Sequence, residues 1–159
     1  MPSFVKFIPT PSEDIDIFFE MAPLTSSDVV YDLGSGDGKL LFKALENGAG
    51  RVVGIELEPE LVFKARQSAK SEGVEDRVTF IEGDITDINL SGATVVLCYL
   101  SYAATIVLKS KLESELKPGT RVVMESFPVP DWEPDNTWEY GYGRFYLYEM
   151  PPKITGKNE

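Results

Sequence analysis

The sequence predicts an α/β fold: a doubly wound, mostly parallel sheet that ends in an antiparallel hairpin. Three observations predict it. Short apolar runs alternate with helix-like stretches along most of the 159 residues. Those runs are near-continuous in apolar residues, as strands buried on both faces require. After Phe127 the pattern changes to scattered prolines, then to two short aromatic runs around Gly141-Tyr142-Gly143, which read as a hairpin.

Each element follows in order. Pro9-Thr10-Pro11 is extended, because proline biases its predecessor away from helix. Ser12 is placed as a helix N-cap, with Glu13 and Asp14 in the first turn. Ile15, Phe18, Phe19 and Ala22 make one apolar face, and Pro23 ends that helix. Asp28 to Leu33 is the first strand, followed by a glycine-rich turn and a helix over 39–47 that stops at Gly48. Val52 to Ile55 is the second strand. Pro59 opens the next helix and Gly73 closes it. Val78 to Ile81 and Thr94 to Leu100 are the third and fourth strands. A helix over about 103–116 breaks at Pro118-Gly119 and leads into a strand from Arg121. Thr137 to Tyr140 and Arg144 to Tyr148 form the hairpin. The expectation is one domain over 1–159: an N-terminal segment and helix (1–24), a parallel core (28–127), the hairpin (135–150) and a frayed tail (151–159).

Composition narrows the chemistry. The formal net charge is −11, which repels phosphate backbones and favours cationic partners, although acidic charge also simply keeps a protein soluble. Histidine is absent, so Ser-His-Asp and Cys-His catalysis and every histidine metal site are excluded; no metal is expected. Cys98, the single cysteine, lies in an apolar run and reads as a reduced core residue. No apolar stretch reaches the roughly 18 residues of a membrane-spanning helix, and Met1-Pro2-Ser3-Phe4-Val5-Lys6 lacks a signal-peptide layout. A cytoplasmic monomer is the expectation.

Strand, then Gly34-Ser35-Gly36-Asp37-Gly38, then helix is a ligand-binding turn, since glycines admit a ligand to the backbone and the helix start offers free N–H groups. Dinucleotide enzymes space these glycines as G-x-G-x-x-G, but here position 39 is lysine and Asp32 stands two places before the first glycine. A second acid, Glu56, follows the second strand, where a carboxylate accepts from ribose hydroxyls; Leu57 comes next. Asp84 and Ile85 follow the third strand, placed to accept from an adenine amino group and to pack on its ring. Taken singly, these are a turn, a solvated rim acid and a turn former. Together, in order on successive strand ends, they point to S-adenosylmethionine, whose amino-acid end Asp32 would orient.

Pro9-Thr10-Pro11, the run Val30 to Gly38, Val53-Gly54-Ile55-Glu56 and Lys117-Pro118-Gly119-Thr120-Arg121-Val122-Val123 resemble the small archaeal protein lysine methyltransferases and their mitochondrial relatives. The resemblance covers roughly residues 5–150. It implies a Rossmann-like class I methyltransferase fold without a separate substrate domain, S-adenosylmethionine as cofactor and S-adenosylhomocysteine as product. It also implies methylation of lysines on proteins, chromatin proteins among them, with loose sequence preference, and contact of Phe7 and Thr10 with the cofactor. The departure is Tyr99-Leu100-Ser101-Tyr102, where a more apolar sequence is expected.

A lysine must lose a proton before it attacks, at a cost of about 4.6 kcal/mol at pH 7. A narrow apolar slot favours the neutral amine. Tyr99, Tyr102, Phe127 and Trp132 are the candidates for that slot, with Tyr99 and Trp132 nearest the chemistry and Tyr99 and Leu100 also bordering the cofactor; the alternative for each aromatic is plain core packing. Methyl transfer needs alignment more than acid–base chemistry, so the lack of histidine is no obstacle. Rival readings are a nucleic-acid methyltransferase, disfavoured by charge and by Cys98-Tyr99-Leu100-Ser101 in place of an Asn/Asp-Pro-Pro-Tyr motif; a small-molecule methyltransferase; a non-catalytic cofactor-binding module; and, weakest, an NAD-dependent oxidoreductase.

Overall fold

The computed structural model describes residues 12–140 and 143–156. Five strands, β1 (Val29–Leu33), β2 (Arg51–Glu56), β3 (Val78–Glu82), β4 (Val95–Cys98) and β5 (Arg121–Glu125), run parallel. The hairpin β7 (Asn136–Tyr140) and β8 (Gly143–Glu149) extends the sheet antiparallel, in the order β3-β2-β1-β4-β5-β8-β7. The strand order reverses direction between β1 and β4, and ligands of such sheets bind at the carboxyl ends beside that point.

Helices cover both faces because the strands are apolar on both. Helices α1 (Ser12–Met21), α2 (Lys39–Glu46) and α3 (Pro59–Glu72) bury Phe18, Leu41 and Val62 against Val30, Val52, Leu97 and Val123. Helix α4 (Tyr102–Glu115) buries Leu108 and Leu112 against Leu33, Cys98 and Met124 on the other face. Sequence punctuation sets their ends. Proline opens α3, and Gly73, left-handed at φ 70°, closes it with its N–H on the carbonyls of Ala69 and Lys70. Ser101 caps α4, its hydroxyl accepting from the Ala104 N–H. The expected helix start near 103 therefore moves to Tyr102, and the fourth strand ends at Cys98 rather than Leu100.

The Lys117-Pro118-Gly119-Thr120-Arg121 stretch proves structural. Gly119 N–H donates to the Met150 carbonyl, Met150 N–H to that of Thr120, and the Thr120 hydroxyl to that of Ala93. Arg121 reaches the Pro23 carbonyl (2.8 Å) and Asp28 (3.3 Å), and Asp28 also accepts from the Thr25 N–H and the Thr94 hydroxyl. One carboxylate thus ties the amino ends of β1, β4 and β5 to the end of α1.

The tail corrects the expectation of fraying from 151. Lys153–Ile154 (β9) pairs antiparallel with Trp132–Glu133 (β6). Lys153 forms an ion pair with Asp135 (2.8 Å), and Thr155 N–H donates to the Asp131 carbonyl. Polarity suggested a loose end, but backbone pairing to a distant segment left no periodic signal in two residues.

Candidate active site

The carboxyl ends of the strands are level. Leu33 lies beside Ile55 and Cys98, and Cys98 lies beside Met124. One step further along the chain from these ends come Glu56, Gly34, Tyr99 and Glu125.

The glycine turn is built against β2. Gly34 and Ser35 both donate N–H groups to the Ile55 carbonyl. Gly34, Gly36 and Gly38 all have positive φ. Gly38 is required twice over: its φ is 88°, and an added Cβ would stand 2.7 Å from Phe80. Gly54 serves the same turn, since a Cβ there would stand 2.5 Å from the Ser35 hydroxyl. Asp37 is exposed and accepts from the Lys39 N–H at the start of α2.

Glu56 is buried, and each carboxylate oxygen takes one backbone N–H at 2.9 Å, Gly36 on Oε1 and Glu58 on Oε2. The ribose-type acid is thereby locked to the glycine turn, with its remaining lone pairs available to a ligand. Asp32 is also buried, and burial together with the neighbouring Glu56 charge pushes its carboxyl up to about 7. The Ser35 hydroxyl is buried with no hydrogen-bond partner among the described residues.

Asp84 is held by Thr86, whose N–H (2.9 Å) and hydroxyl (2.7 Å) both donate to Oδ1 and keep the acid below its ordinary range. It lines a small cleft together with Leu57, Ile85, Thr86, Ala104, Val107 and Leu108. Sequence reasoning placed Leu57, Asp84 and Ile85 here. It missed Thr86, which the Asp-x-Thr turn spacing signals, and the α4 residues, which only the crossing of that helix over the strand ends supplies.

The aromatic candidates separate. Tyr102 and Phe127 meet with ring centroids 6.0 Å apart and are 50% and 40% exposed, forming an aromatic pair at the surface, while Tyr99 is half-buried. Leu100 is buried in the core under α4. Trp132 is not brought to the site. It is 3% exposed, packs edge-on against Tyr148 at 5.3 Å, and donates its indole N–H to Glu113. Glu113 lies eleven residues along α4 from Tyr102, about 16 Å down the helix axis. The pairing of β6 with β9 pulls Trp132 to that depth. Phe7 and Thr10 lie outside the described residues.

Sheet order, glycine turn and acids on successive strand ends define a Rossmann-like methyltransferase. Residues 32–136 match the family described as the ANTKMT methyltransferase domain. A protein-lysine N-methyltransferase of Saccharolobus islandicus (strain REY15A) is 37% identical over 149 residues, spanning 91% of this chain and 92% of that one. The adenine nucleotide translocase lysine N-methyltransferase of Mus musculus is 34% identical over 119 residues, spanning 75% of this chain and 52% of its own. Among solved structures, an RNA methyltransferase from Salinibacter ruber in complex with S-adenosyl-L-homocysteine superposes with a TM-score of 0.88 at 40% identity, covering 94% of this chain and 98% of that one. The chain belongs to the ANTKMT methyltransferase-domain family.

Proposed function

We propose that the chain moves methyl groups from S-adenosylmethionine to lysine side chains of basic proteins, with broad specificity. The observation that carries this reading is near full-length similarity to a protein-lysine N-methyltransferase, on a chain whose strand ends carry a donor set of their own, Asp32, Glu56 and Asp84. That donor set fits the cofactor. Glu56, pinned by two N–H groups, suits vicinal hydroxyls, and Asp84 beside Ile85 suits an amino-bearing flat ring. Asp32 suits an ammonium, and the buried Ser35 hydroxyl stands ready for a polar guest.

When bound, S-adenosylmethionine supplies an electrophilic methyl group on a sulfonium. The chain's own residues bind and align. Tyr102 and Phe127 flank the four-carbon stem of an incoming lysine, and Tyr99 orients its nitrogen. Net charge −11 draws basic proteins by its long-range field. Among the described residues no helix is long and apolar enough to cross a membrane; a cytoplasmic place of action is part of the same proposal.

The name of the Salinibacter relative supports a second reading, an RNA acceptor. The acidic charge opposes it, because a phosphate backbone would meet repulsion at every step. One experiment separates the two. Lysine-rich proteins and total RNA are each incubated with the enzyme and labelled S-adenosylmethionine. Mass spectrometry should find methyl increments on lysines, absent with Glu56→Ala. Label in RNA and none on lysine would reverse the reading.

A further inference from the structure

Thr86 lines the cleft beside Asp84, and the reading above gives it no role. Its N–H (2.9 Å) and its hydroxyl (2.7 Å) both donate to Oδ1 of Asp84. A turn former needs less than this. The turn is closed by the Asp87 N–H on the Asp84 carbonyl (3.0 Å), and the Thr86 N–H already ties the Asp84 side chain to the backbone. The hydroxyl is a second donor to an oxygen that has one.

A carboxylate oxygen has two lone pairs. Oδ1 uses both on Thr86, while Oδ2 accepts no hydrogen bond from the described residues. Asp84 is half-buried at the edge of a cleft whose other walls are mainly apolar, with Leu57 and Ile85 from the strand ends and Ala104, Val107 and Leu108 from α4. Such walls suit a flat ring, and the acceptor left over reads the polar group on the ring's edge. The Thr86 N–H, and then its hydroxyl, also hold the acid below its ordinary range against the effect of burial. At neutral pH Asp84 is therefore ionised and can only accept. A ring amino group satisfies it, whereas a ring carbonyl sets oxygen against oxygen.

We propose that Thr86 is the positioning residue that makes the cofactor site select an amino-bearing purine over an oxo-bearing one. It occupies one oxygen of Asp84 and so fixes the other toward the ring's edge. The inference rests on the reading above, in which Asp84 receives the adenine amino group. Thr86 acts through Asp84 and needs no contact of its own with the cofactor.

The test is calorimetry on the whole chain with two ligands: S-adenosylhomocysteine and S-inosylhomocysteine, its deaminated analogue, which carries a ring carbonyl in place of the amino group. The wild type should prefer the adenosyl ligand by about 100-fold or more. Thr86→Val keeps the backbone N–H and the side-chain shape but lacks the hydroxyl. It should bind S-adenosylhomocysteine about tenfold more weakly and S-inosylhomocysteine almost unchanged, so the preference falls about tenfold. Thr86→Ser restores the donor and should restore the preference. Val107→Ala, which trims an apolar wall of the cleft, should weaken both ligands alike. A Thr86→Val variant that keeps the wild-type preference, or that weakens both ligands equally, overturns the inference. Asp84→Asn then separates the two levels. If it abolishes the preference, the reading of Asp84 stands without Thr86; if the preference survives there too, that reading falls as well.

Discussion

Replacing Asp32 with asparagine should flatten a pH dependence that the wild type shows in cofactor binding. Asp32 titrates near 7 because burial, and then the Glu56 charge, disfavour its ionised form. Against the ordinary value of 3.8, that gap corresponds to about 4 kcal/mol. A ligand that presents an ammonium to this carboxyl prefers it ionised. Binding then weakens as pH falls through 7, by about tenfold between pH 8 and pH 6 for a single titrating acid. Calorimetry with S-adenosylhomocysteine should show this, and the ratio of wild type to Asp32→Asn at each pH cancels titration of the ligand itself. Stability should move the other way. The folded value is raised, so the folded state holds the proton more tightly, and the cost of ionising Asp32 builds as pH rises from 3.8 toward 7. Free of ligand, Asp32→Asn should therefore melt above the wild type at pH 8, with the gap shrinking as pH falls toward 4. A ratio of affinities that stays constant from pH 6 to 8 would refute the reasoning.

Three further outcomes follow from the same geometry. Glu56→Gln sets an amide N–H₂ against one of the two backbone donors, Gly36 or Glu58, so S-adenosylhomocysteine affinity by calorimetry should fall by about 10–100-fold. Trp132→Phe loses the bond to Glu113 and should cost about 1–3 kcal/mol in urea unfolding while methyl transfer is retained; loss of transfer from a folded variant would put Trp132 back in the site. Asp28 lies below its ordinary range: burial raises it, but hydrogen bonds from Thr25 and Thr94 and the Arg121 charge outweigh that. Its contribution is therefore present above the unfolded value and lost as pH falls through the folded one, so Asp28→Asn should lower neutral-pH stability by about 1–2 kcal/mol and blunt the acid-induced loss seen in denaturant melts.

The elements that sequence reading located are those whose cause is local. Apolar runs such as Val95 to Cys98 are strands because both faces are covered, and Gly73 or Pro59 marks a helix end wherever it falls. The glycine turn, Glu56 and Asp84 were legible for a similar reason, since each follows its own strand by a fixed short step. Phe127 and Tyr102 stand out as aromatics in the sequence, but only the fold brings their rings together.

What the sequence by itself determined is the order of strands and helices, the cofactor-side acids and the family resemblance, because each is written in contiguous residues. Tertiary structure alone decided which distant residues meet. Trp132 went to the core because β9 pairs with β6, and Arg121 became a structural tie because β1, β4 and β5 end side by side. Each of these meetings rests on pairing between segments far apart in sequence, which no local pattern encodes.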